Sequence, residues 1–103
     1  MARRASRVDE NQPEVVKDLR AMGFSVKPTH MVADGFPDIA CGFQGRTFLF
    51  EIKDPAKIPS KRQLTPAERE FHEVWRGHCA VIHTAVEAAN IMRLSCGMSE
   101  VQG

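Results

Sequence analysis

Asp38, Glu51 and Lys53 are the residues whose types and spacing could do chemistry together. They lie in the stretch GFPDIACGFQGRTFLFEIKD, residues 35–54. Gln44-Gly45 separates two apolar runs, Ile39 to Phe43 and Thr47 to Ile52, and glycine accepts the positive φ of a tight loop, so the segment reads as a β-hairpin. With those two residues as the loop, the ladder pairs Phe43 with Arg46, Cys41 with Phe48, Ile39 with Phe50 and Asp38 with Glu51. Opposed residues share a face with Cβ atoms roughly 4.5 to 5.5 Å apart, where like charges repel. Period-2 alternation adds Lys53 to the face of Glu51 and sends Phe48, Phe50 and Ile52 to the other. Two carboxylates and an ammonium therefore converge, provided the register does not slip by one residue.

Such a set suits a hard divalent cation. Carboxylate oxygens of Asp38 and Glu51, with the backbone carbonyl of Ile52, would hold Mg²⁺ or Mn²⁺ and leave positions for water and a phosphate oxygen. The ion would polarise the phosphate and acidify a bound water. Lys53 would orient that water and offset the charge growing on the phosphate. Each residue alone has a structural explanation, since Asp after Pro is common in turns and Glu-x-Lys on a strand aids solubility. Together they do not, because opposed acids cost energy unless a cation or a proton fills the gap.

The elements that position these residues are legible around them. Asp9 to Met22 reads as a helix, with capping-box spacing from Asp9 to Gln12, Pro13 in the first turn, a stripe of Val15, Val16, Leu19 and Met22, and Gly23 as the stop. Phe24 to Lys27 is a short strand stopped by Pro28, and Thr29 to Pro37 a loop leading into the hairpin. Asp54 to Arg62 is a second loop, with two prolines and a run of cations. Thr65-Pro66-Ala67-Glu68 opens a helix with Thr at the N-cap, Pro at N1 and Glu at N3. Phe71, Val74 and Trp75 supply its apolar side and Gly77 closes it; Phe71 and Trp75, four apart, read as core rather than as a base-stacking platform. Cys79 to His83 is a buried strand. Thr84 to Glu87 repeats the capping box before a last helix through about Leu94, striped by Ala88, Ile91 and Leu94. The order αβββαβα, with a right-handed crossover at the end, predicts a mixed sheet: a meander plus one strand parallel to that of Glu51.

The chain has 103 residues, 43% hydrophobic and 26% charged, with a net charge of +1, which predicts one domain with a single core. Charge is unevenly placed: Arg3, Arg4 and Arg7 form a basic N-terminal arm, while Lys57, Lys61 and Arg62 follow the acids, and both clusters could track a phosphate backbone. Three cysteines without CxxC spacing support neither a disulfide framework nor a zinc knuckle and point to a reducing compartment. No apolar run approaches the ~20 residues of a membrane helix, and no secretory h-region opens the chain, so a cytoplasmic protein is expected. His30, His72, His78 and His83 match no metal spacing, although His30 precedes Asp38 and could contact DNA.

G-x-P-D (Gly35 to Asp38), the thirteen-residue step to Glu51, E-x-K (Glu51 to Lys53) and the element order resemble the PD-(D/E)xK nuclease superfamily. More narrowly, DENQPEVV, GFPDI, FEIKD, LTPAEREFHEVWRG and CAVIHTAVEA are similar to stand-alone VRR-NUC domains of phages and prophages. The resemblance implies a restriction-endonuclease-like αβββαβ core and a metal-dependent DNA endonuclease acting on structured or branched DNA in replication, repair or recombination. It implies Asp38, Glu51, Lys53 and Glu14 as catalytic residues, Glu14 being the extra acid of the first helix, whose plain alternative is a favourable charge at a helix N-terminus. Glu68 stands where such domains carry Gln; it is read as the helix cap, with Gln63 as a weaker substitute near the DNA. The expected organisation is an arm over 1–8, a nuclease domain over 9–94 and a tail over 95–103. DNA and a second copy in a C2 homodimer are the expected partners, joined through Val86, Ile91 and Met92 or through the 28–36 loop, where Phe36 could instead anchor to the core. No organic cofactor is expected. A non-catalytic DNA-binding or assembly module is the alternative.

Overall fold

The computed structural model describes residues 10–101. Its elements are α1 (Gln12–Ala21), β1 (Ser25–Pro28), β2 (Ile39–Phe43), β3 (Arg46–Ile52), a 3₁₀ turn (Pro59–Arg62), α2 (Pro66–Val74), β4 (His78–Ile82) and α3 (Ala85–Ser95). They form an α/β fold around one mixed sheet in the order β1-β2-β3-β4, the αβββαβ core expected, flanked by helices. β1, β2 and β3 run antiparallel as a meander, and β4 lies parallel to β3.

The central hairpin has the anticipated register, with Phe43 opposite Arg46, Cys41 opposite Phe48 and Ile39 opposite Phe50. Gln44 and Gly45 both take positive φ, 54° and 75°, the conformation whose twist matches two antiparallel strands. Ile39 and Cys41 of β2, Phe48, Phe50 and Ile52 of β3 and Ile82 of β4 face one side of the sheet. There they pack with Val15, Val16 and Leu19 of α1 and with Ala85, Ala88, Ala89 and Met92 of α3. The opposite side carries Leu49, Glu51 and Lys53, and α2 reaches it through its own polar and aromatic side chains. The sheet thus separates an apolar layer from a polar one.

Several local expectations are corrected. α1 begins at Gln12 with Asn11 at its N-cap and no side-chain cap bond, because the Asn11 carboxamide donates instead to the His83 carbonyl at 3.1 Å; Asp9, the expected cap, lies outside the described residues, as do Arg3, Arg4 and Arg7. Met22 caps α1 at its C-terminus and is exposed rather than part of the stripe. Pro28 belongs to β1, opposite Ile39, which an edge strand tolerates because the missing N–H need not face a partner. His83 follows β4 instead of ending it and is half-buried. On α3 the buried face is Ala85, Ala88, Ala89 and Met92, while Leu94 is 54% exposed. Spacing i, i+3, i+4, i+7 stays on one face, whereas i, i+3, i+6 drifts off it. Val74 on α2 and Trp75, its C-cap, are exposed too, and none of that helix's described side chains is fully buried.

Candidate active site

Asp38 lies just before β2, still held in the ladder: its N–H donates to the Phe50 carbonyl at 2.9 Å, and its carbonyl accepts from Thr29 N–H at 2.7 Å. Its side chain turns to the polar side of the sheet, where Oδ2 accepts from the Ile52 N–H at 2.8 Å. The Glu51 carboxyl is hydrogen-bonded to that of Asp38. Lys53 Nζ stands 3.7 Å from Glu51 Oε2 and donates to Glu68 Oε1 at 3.1 Å. Asp38, Glu51 and Lys53 are 7%, 3% and 8% exposed, so all three are taken out of water together.

Burial is the main force on this cluster. It pushes the Glu51 carboxyl up to about 10, aided by the negative charges of Asp38 and Glu68 and opposed by Lys53. At neutral pH the metal-free protein therefore keeps a proton on Glu51. Glu68 goes the other way: burial would raise it, but the Thr65 N–H and the Lys53 ammonium outweigh burial and hold it below the ordinary carboxylate value. His72, one turn along α2, is lowered by burial, and its ring lies 3.5 Å from Cys79 Sγ, whose thiol burial pushes up to about 11. Cys79 is thus a neutral thiol rather than a nucleophile.

The turn that carries Glu68 is well specified. Thr65 Oγ1 accepts from the Glu68 N–H at 3.2 Å, and Glu68 Oε1 accepts from the Thr65 N–H at 2.9 Å, the reciprocal bonds anticipated at this helix start. That reading was incomplete, because the same Oε1 also receives the Lys53 ammonium. Sequence spacing announced the cap; it held no signal that the carboxylate would reach a strand fifteen residues away.

The remaining candidates fall elsewhere. Glu14 is exposed on α1 and lines a cleft of about 260 Å³ with Asn11, Asp18, Asp54 and His83, a lining that includes none of Asp38, Glu51 and Lys53. Lys57 stands 3.9 Å from Glu10 Oε2 in an exposed ion pair. Lys61 and Arg62 close the 3₁₀ turn, and Gln63 after it is exposed. His30 is tied back to α1, its Nδ1 3.2 Å from the Gln12 carboxamide nitrogen. Phe36 packs edge-on against Phe71 and Trp75, with ring centroids at 5.2 and 6.4 Å, which anchors the loop before Asp38 onto α2.

A divalent cation can be tested against these residues. Among the described residues no three His, Cys, Asp or Glu side chains are grouped to hold an ion by themselves. Two facing carboxylates are present, however, and the buried Glu51 Oε1 finds no hydrogen-bond donor. An orphaned carboxylate oxygen beside a second carboxylate fits a hard cation that keeps several waters and takes one or two protein carboxylates. No protein-family model, curated protein or solved structure matches the chain. Among the described residues no helix is long and apolar enough to cross a membrane.

Proposed function

We propose that the protein is a divalent-metal-dependent endonuclease that hydrolyses phosphodiester bonds of DNA, with Asp38, Glu51 and Lys53 at its centre. The observation that carries this reading is the convergence of two opposed carboxylates and one lysine in a single buried cluster, beside an acid oxygen that lacks a donor. Asp38, Glu51 and the Ile52 carbonyl would hold Mg²⁺ or Mn²⁺, which when bound supplies Lewis-acid polarisation of the phosphate and an acidified water. Asp38 is fixed for this by the Ile52 N–H, which holds its carboxyl in one orientation on the polar side of the sheet. Glu51 would hold the ion in its ionised form, its proton passing to solvent as the ion binds. Lys53, whose ammonium is steadied on the same side of the sheet, orients the attacking water and offsets charge on the non-bridging phosphate oxygens. Lys57, Lys61, Arg62 and Gln63 follow Lys53 along the chain, where cations favour a phosphate backbone. Glu14 and the basic arm of Arg3, Arg4 and Arg7 would contribute from outside the cluster, and two copies related by C2 symmetry would address both strands.

Incubation of the protein with labelled duplex, flap and branched DNA in Mg²⁺, Mn²⁺ or EDTA tests this. Metal-dependent scission lost in Asp38→Asn and Glu51→Gln supports it; absence of scission with every substrate and both metals removes it. The burial of all three residues favours one second reading, a non-catalytic nucleic-acid-binding or assembly module in which the charges organise the fold. That module would bind DNA equally well in EDTA, and its melting temperature would not respond to metal.

A further inference from the structure

We infer that Glu68 is the positioning residue for Lys53, and that Gly35 locks the helix turn from which Glu68 acts. This inference rests on the nuclease reading only for its catalytic consequence. A lysine has a long flexible stem, and its ammonium cannot stay at one point unless something holds it. Here the hold comes from across the fold: Lys53 Nζ is 3.1 Å from Glu68 Oε1 on α2 and 3.7 Å from Glu51 Oε2 on its own strand. Glu68 is itself fixed at both ends, its carboxylate by the Thr65 N–H and its backbone N–H by Thr65 Oγ1. The carboxylate therefore has one rotamer in which it both closes the helix and receives the ammonium.

Gly35 supplies the second half of the device. A Cβ placed on it would lie 2.5 Å from the carbonyl carbon and oxygen of Ala67 and 2.8 Å from the Glu68 nitrogen, and its φ of 77° suits glycine. Backbone meets backbone there, so the loop that ends in Asp38 sits directly on the turn that aims Glu68. Phe36, the next residue, adds its contacts with Phe71 and Trp75 further along the same helix. Asp38 reaches the site from just before β2 and Lys53 from just after β3, yet both are referenced to the first turn of α2. A shift of that turn would move the ammonium relative to the carboxylates, and misplacement by about 1 Å can cost a factor of about 100 in rate.

The test compares Glu68→Ala, Glu68→Gln and Thr84→Ala in cleavage kinetics with Mg²⁺, alongside the NMR order parameter of the Lys53 ammonium in the metal-free protein. Thr84→Ala removes the equivalent cap of α3, where Thr84 Oγ1 accepts from the Glu87 N–H at 3.1 Å, and controls for the loss of a helix cap as such. The expected result is a kcat about 100-fold lower in Glu68→Ala with KM little changed, recovery to within about tenfold in Glu68→Gln, which retains the accepting oxygen, and a wild-type kcat in Thr84→Ala. The Lys53 order parameter falls in Glu68→Ala and stays high in the other two. A Glu68→Ala protein whose Lys53 ammonium is as ordered as in wild type, or whose kcat is unchanged, overturns the inference. A wild type that cleaves no DNA overturns the nuclease reading alone, since the order parameter still reports whether Glu68 holds the lysine.

Discussion

At the scale of the residue, Glu51 should write its signature into the pH dependence of stability. Its carboxyl is raised from 4.5 to about 10 in the folded protein, so between those values the native state binds a proton that the unfolded chain has released. Stability from this group is fully present below pH 4.5 and is lost as pH climbs toward 10, with a limiting slope of about 1.4 kcal/mol per pH unit. Urea unfolding in EDTA at several pH values should show that decline in wild type. Glu51→Gln, neutral throughout, should flatten it and be the more stable protein at pH 8; equal slopes for the two proteins would place the proton elsewhere. Lys53→Met keeps the stem but removes the ammonium that Glu68 receives. Cleavage should fall by at least about 100-fold, the cost of losing one preorganised donor, as measured by single-turnover assays.

At the scale of the element, two glycines with similar backbone angles should behave differently. Gly45 closes the hairpin at φ 75° with nothing within 4 Å of a built Cβ, so Gly45→Ala should cost about 1 kcal/mol of backbone strain. Gly35→Ala meets the Ala67 carbonyl as well, and should cost at least about 2 kcal/mol by adding overpacking to strain. Paired urea titrations of the two variants decide this, and equal losses would mean that the Gly35 loop yields easily. The first turn of α2 was readable from Thr65, Pro66 and Glu68 because capping is local chemistry. Its packing against Gly35 was not, because no propensity scale encodes a contact across thirty residues. The buried face of α3 was misassigned for a related reason: alanines at 85, 88 and 89 carry little hydrophobic signal, yet small side chains let that helix approach the sheet closely, and Leu94 stays outside.

At the scale of the whole molecule, the surface proposed for pairing narrows. Met92 and Ile91 pack in or against the core and Phe36 is engaged by Phe71 and Trp75, so the expected contact through α3 retains only Val86. Met31 and Val32 in the loop, with Val74 on α2 and Trp75 at its C-cap, remain as exposed apolar side chains. Light scattering at micromolar protein should give twice the 11.5 kDa chain mass, and Trp75, the single tryptophan and 44% exposed, should shift its emission to the blue on association. A mass of one chain with unchanged emission, with and without duplex DNA and Mg²⁺, would remove the proposed pair.

What the sequence by itself determined is what depends on short range. Alternation, a Gln-Gly turn and two capped helices specify the hairpin, its register from Ile39–Phe50 to Phe43–Arg46 and the mixed sheet; Asp38, one residue outside that ladder, and Lys53 come to the face of Glu51. Tertiary structure decided the rest. It determined that the trio would be buried deeply enough to keep a proton on Glu51, and that Glu68 would serve the lysine as well as its helix. Burial and cross-element distance are properties of how layers pack, and the energy of each depends on neighbours far away in the chain.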